Sequence, residues 1–96
     1  MIFNIGDETT IQVEFADLEG ALADPNVVKL HIGYPSGEMA ELVYGQDAGV
    51  IRTGEGKYEY CLSLLAGGMY RYHWVGSGSI NAAQLGTIHV CHIGML

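Results

Sequence analysis

Gly54–Gly78, GEGKYEYCLSLLAGGMYRYHWVGSG, reads as two strands joined by a glycine corner. In the first strand Tyr58, Tyr60, Leu62 and Leu64 fall on one face. In the second, Tyr70, Tyr72 and Trp74 do the same. Strict alternation gives each strand one buried face and one wet face. Most of the chain's aromatic mass lies in this stretch, so the core is expected to form around it.

The preceding segments repeat the pattern at short intervals. Ile2, Phe3 and Ile5 make an apolar start suited to an edge strand. Thr10–Ala16 alternates cleanly, with Ile11, Val13 and Phe15 inward. Asp17–Asn26 is polar and ends in the turn signal Asp24-Pro25-Asn26; Ala21–Ala23 is compatible with one helical turn at most. Val27–Tyr34 is a strand with Leu30 and Ile32 inward and Lys29 and His31 outward. Pro35-Ser36-Gly37-Glu38 then turns it back into Met39–Tyr44. Gly45–Gly49 is a loop and Val50–Arg52 a short strand. The last strand spans about Gln84–Ile93, with Ile88 and Val90 inward. The core expected from this pattern is Phe15, Leu30, Ile32, Tyr58, Tyr60, Tyr70, Tyr72, Trp74 and Val90. Many short strands with glycine turns favour an all-β antiparallel sandwich of about seven strands.

Composition narrows the function. The 96 residues are expected to make a single domain, 1–96, and the net charge is −7, from eleven acids against four bases. That balance argues against nucleic acid, which needs a clustered positive field, and against anionic membranes. No basic start or apolar run marks a signal peptide or a spanning segment. Cys61 and Cys91 are therefore expected to be reduced thiols, with no core disulfide.

At Gly68-x-Tyr70-x-Tyr72 the chain resembles the corner of an immunoglobulin-like sandwich. In that family a tyrosine opens the strand two residues before the second core cysteine and bonds back to the upstream backbone. By this resemblance Tyr70 is the corner tyrosine, and Tyr72 stands where the cysteine would be. The family's core tryptophan belongs on the strand of Ile32, whereas here Trp74 lies one strand further on. The wider pattern covers most of the chain: V-x-L-x-I-x-x-P-S-G, G-x-G-x-Y, G-G-x-Y-x-Y-x-W-x-G-S-G and a closing T-x-H-V. It resembles short stand-alone Ig-like proteins encoded among tailed-bacteriophage structural genes. The resemblance implies a virion component of the head surface, neck or tail, assembled in the host cytoplasm. Its partners would be other virion proteins and copies of itself.

Candidate chemistry is sparse. The sandwich order would set the strands of His31, His73 and His89 side by side, and three imidazoles on one face could meet at a transition metal. No short ligand spacing supports such a site, and no cofactor is expected. The same face carries Met69, Arg71 and Val75, which suits a protein contact. The contact set expected is His31, Met69, Arg71, His73, Val75 and His89, with Met95 and Leu96 from the apolar chain end. In His89-Val90-Cys91-His92 alternation separates His92 from the other two. Cys61, mid-strand with no base placed near it, is expected to be inert and at least half-buried. Gly54-x-Gly56 and Gly76-x-Gly78 lack the helix start that a phosphate loop needs. Asp7-Glu8 and Asp17-x-Glu19 lie in turns, where acids cap. No nucleophile–base pair or ligand set appears, so a non-enzymatic structural protein is expected. The alternative is a monomeric recognition module binding a glycan or peptide through loops Asp17–Asn26 and Gly76–Ala83.

Overall fold

The structure, a computed structural model, describes residues 3–91. Among these residues eight strands make up two sheets. They are β1 (Phe3–Asn4), β2 (Glu8–Glu14), β3 (Val27–Gly33), β4 (Met39–Val43), β5 (Val50–Gly54), β6 (Lys57–Ser63), β7 (Gly68–Ser77) and β8 (Ala82–Cys91). The five-stranded sheet runs β1-β8-β7-β3-β4 and the three-stranded sheet β2-β6-β5. This is the strand order of an immunoglobulin-like sandwich. The eighth strand is β1, which pairs parallel with β8 at Phe3↔Val90 and Asn4↔Cys91; every other pair is antiparallel.

Alternation sets the core. Ile11, Val13 and Phe15 from the β2 side meet Tyr58, Leu62 and Leu64 within one layer. Leu30, Ile32, Tyr70, Trp74, Ile88 and Val90 face them from the other. Trp74, Leu30, Ile32, Leu64 and Val90 are fully buried. Nothing among the described residues accepts a hydrogen bond from the Trp74 indole N–H, and nothing in the fold explains why it lacks a partner.

Two expected core rings sit further out. Tyr60 and Tyr72 are only partly buried, packed against the core's margin. Tyr72 is paired directly with Gly86, and a methyl group at Gly86 would overlap its ring. The ring lies where a side chain of β8 would otherwise be. The smaller sheet does not extend over that half of β8, where even inward-facing Gln84 is exposed.

Strand ends differ by a few residues from the alternation pattern. β2 begins at Glu8, and β8 begins at Ala82; the expected end of β8 at Ile93 lies outside the described residues, as do Ile2, Met95 and Leu96. No helical turn forms at Ala21–Ala23. Instead Ala16 bridges Leu22, and the Ala23 N–H donates to the Phe15 carbonyl. Asp17 Oδ1 accepts from the N–H groups of Glu19 and Ala21, closing this loop on itself.

The corner geometry is present. Tyr70 is 2% exposed, and its hydroxyl accepts the Ala66 N–H at 3.2 Å. Its ring meets Tyr34 edge-on at 5.7 Å. Gly68 precedes it at φ +122°, a backbone conformation that favours glycine.

Candidate contact surface

The outer face of the five-stranded sheet is set by register. His31 is directly opposite both His73 on β7 and Glu41 on β4, and His73 is opposite Leu85 on β8. One rung along, Gly33 faces both Arg71 and Met39. Gly33 has no side chain, so the sheet surface dips between the Met39 and Arg71 side chains. A Cβ there would still stand 3.8 Å from that of Arg71. The dip is part of an open groove of about 1110 Å³, closed at one end by the Tyr34–Glu38 turn. Its rim is apolar where Met39 and Leu85 stand out, at 76% and 75% exposure.

His31, Met69, Arg71 and His73 all line this groove. Val75 lies on the same face, opposite Lys29, two rungs from Arg71 and outside the groove lining. His89 also shares the face but is opposite Met69, four residues along β7 from His73. At roughly 3.3 Å per residue that is about 13 Å, so the three imidazoles do not converge on one ion. Among the described residues no group of three metal-ligating side chains is suitably placed.

The histidines that do meet are His31 and His73, ring centroids 6.0 Å apart and tilted by 46°. His31 Nε2 lies 2.8 Å from Glu41 Oε2. That hydrogen bond, with Lys29 nearby, holds the Glu41 carboxyl below its ordinary range. Among the described residues the ion pairs are His31–Glu41, Asp24–Arg52 and Lys57–Glu14. Arg71 and Lys29 thus have no carboxylate partner within that set. The opposite face of the sandwich is more acidic: β2 and β6 alternate Glu8, Glu14 and Glu59 outward, with Lys57 as their one strand neighbour of opposite charge, whereas Arg71 and Lys29 on the groove face are matched in number by Glu38 and Glu41. The acidic chain therefore keeps its unpaired cations on the groove face.

The remaining candidates serve the fold. Gly56 turns at φ +72° and gives its N–H to Asp24. Gly76 is enclosed by Pro25 and Phe15, leaving no opening for a phosphate. Asp7 Oδ2 accepts the Asn4 N–H. Cys61 is exposed rather than half-buried, because it lies on the wet face of β6 opposite Thr10. Its face neighbours along β6 are Glu59 and Ser63.

The sequence reading missed Gly33, Met39 and Leu85 as parts of the surface. Alternation from the Pro35–Glu38 turn places Met39 outward, so that signal was present. The dip at Gly33 depends on which strand lies beside β3, which the sequence does not state.

Together, fold and site define a small sandwich presenting a grooved, methionine- and cation-bearing sheet face. No family model matches the chain, and no curated protein or solved structure matches it.

Proposed function

We propose that this chain is a non-enzymatic structural protein of a bacteriophage particle, acting by protein–protein contact as a capsid decoration, neck or tail component in multiple copies. The observation that carries the contact role is the groove face, where Arg71 and the His31–His73 pair lie beside the exposed Met39 and Met69, with Lys29 further along the same face, on a chain of net charge −7. Methionine and arginine are enriched where proteins meet, and methionine adapts its shape to a partner. The complementary partner is an apolar, acidic surface on another virion subunit. The bacteriophage assignment rests on the resemblance of the strand and corner motifs.

The test is co-sedimentation of the purified chain with particles assembled from the structural genes that flank its own. Stoichiometric binding is expected. Arg71→Glu, on an exposed position of β7, is expected to weaken it at least about tenfold without loss of fold, by setting like charges against each other. Absence of particle binding would overturn the proposal. Binding of a glycan or peptide by a persistent monomer would favour the recognition-module alternative. The loops that alternative needs are bonded to each other, since Asn26 donates its N–H to the Ser77 carbonyl and its Oδ1 accepts the Ser79 N–H.

A further inference from the structure

The five-stranded sheet ends on an edge that nothing among the described residues protects. β8 pairs with β7 in unbroken register from Ala82↔Gly76 to Val90↔Gly68. On its other side, among the described residues, β1 meets it only at Val90 and Cys91. The stretch Ala82–Thr87 therefore turns one row of backbone donors and acceptors away from the sheet. Leu85 stands 75% exposed in its middle.

Sheet edges are ordinarily blunted by charge, proline, bulges or shortness. Other edges of this protein follow that rule. β4 carries Glu41 at its centre, and β2 carries Glu8 and Glu14. β5 carries Arg52 and a register shift beside it, and β1 is two residues long. Ala82–Thr87 has none of these devices. The chain contains no Asp, Glu, Lys or Arg after Arg71, and this segment holds no proline. The smaller sheet leaves it uncovered, since both Gln84 on the inner side and Leu85 on the outer side are exposed.

We infer that Ala82–Thr87 is a self-pairing edge, which joins a second copy of the chain antiparallel to its own β8 across a two-fold axis. Symmetry selects the occupant, since a second copy of the same uncharged strand matches this edge residue for residue. Two copies at net charge −7 repel over most approaches, and this edge is a place where they can meet without opposing like charges. Antiparallel pairing of identical strands is self-complementary and closes at two copies. The two-fold axis stands normal to the sheet, so each side chain stays on its own face. The pairing is then centred on Gln84 or on Leu85, never between them. The product is one ten-stranded sheet with both groove faces on the same side. This deepens the multi-copy contact reading and rests on it for its biological purpose; the dimer itself does not depend on the virion. Six residues a side make a small interface, so Kd is expected at about 1–100 µM.

The experiment is sedimentation velocity of the full chain across that concentration range, with hydrogen exchange at both ends of it. A monomer–dimer equilibrium is expected, with amides in Ala82–Thr87 slowing as the dimer fills. Leu85→Lys should raise Kd at least about tenfold, because it sets a like charge from each copy close to the axis of the paired edge. Leu85 is exposed in the single chain, so the variant should keep its circular dichroism and melting temperature. Arg71→Glu should leave the dimer intact. A chain that stays monomeric well above the range overturns the inference. So does a dimer that dissociates in Arg71→Glu but not in Leu85→Lys, or one without protection at Ala82–Thr87. A dimer meeting these criteria that binds no particle would leave the edge standing and overturn the virion role alone.

Discussion

Arg52 grips Asp24 with two parallel hydrogen bonds, Nη2 to Oδ2 at 2.8 Å and Nε to Oδ1 at 3.1 Å. The same Oδ1 accepts the Gly56 N–H and the Tyr58 hydroxyl, each at 2.8 Å. One carboxylate thus ties the β2–β3 connection to the β5–β6 hairpin. The Arg52 bond first, then those from Gly56 and Tyr58, hold the Asp24 carboxyl far below its ordinary value. A carboxyl depressed in the folded state adds stability that is present above its unfolded value near 3.8 and is lost as pH falls toward the folded value. The melting temperature should therefore fall steadily from about pH 4 to pH 2, and Asp24→Asn should flatten that slope while lowering stability at neutral pH. Thermal melts of both proteins at stepped pH measure it. An unchanged acid slope in Asp24→Asn would show that other carboxyls carry it.

The same cluster acts at the alkaline end. Burial, and then the bond to Asp24, push the Tyr58 phenol up to about 12. Its unfolded value is near 10, so the stability it lends is whole below pH 10 and is lost as pH rises toward 12. Tyr58→Phe should remove this alkaline loss. It should also cost about 1.5–3 kcal/mol at neutral pH, the worth of a hydrogen bond to a charged group. Phenolate absorbance during an alkaline titration tests the first point, with one tyrosine ionising last in the parent and absent from the variant. Denaturant unfolding tests the second.

Gly56 is fixed by both its backbone and its neighbours. At φ +72° an L side chain is strained, and a Cβ would stand 2.5 Å from the Phe15 carbonyl oxygen and 2.9 Å from the Ala23 nitrogen. Both contacts are backbone and part of a close approach in which Phe15 donates its N–H to the Gly56 carbonyl. Gly56→Ala should destabilise by at least about 1–3 kcal/mol from backbone strain alone, with the overlap adding to it. Gly37→Ala makes a useful comparison. It has φ +95° but open space around its Cβ, so it reports strain without overlap. Equal losses in the two variants would show that the neighbours yield freely.

Most of the fold was legible because burial follows period two here. Phe15, Leu30, Ile32, Tyr58, Tyr70, Trp74 and Val90 were all expected inside and all are buried. Tyr60 and Tyr72 obey the same period yet stay half-covered, because period two names a face and not how far the opposing sheet reaches. The loops were less legible. Asp24 reads as a turn residue, and nothing in its neighbourhood announces Arg52 and Tyr58, 28 and 34 residues away. Which side chains share the outer face of the larger sheet was legible as alternation on β7. The groove in that face was not, since that needs the Gly33–Arg71 register. His89 shows the converse: the right face and an adjacent strand still left it four residues out of step with His73.

Tyr70 separates two ways in which a corner can hold. Its hydroxyl accepts a neutral N–H at 3.2 Å, the long end for such a bond, from Ala66 at the exposed turn. Its ring is buried and meets Tyr34 edge-on. If the ring does most of the holding, Tyr70→Phe should cost only about 1 kcal/mol, the net worth of an ordinary neutral hydrogen bond. Tyr70→Ala should cost about 3–5 kcal/mol, as for other buried aromatic truncations. The pair of variants, unfolded in denaturant, measures the split. A Tyr70→Phe loss near that of Tyr70→Ala would place the strength of the corner in the hydroxyl. The Leu65–Gly68 turn would then lean on that bond, beyond the Leu64 backbone bonds to Gly6 and Asp7, and its amides should exchange faster in the phenylalanine variant than in the parent.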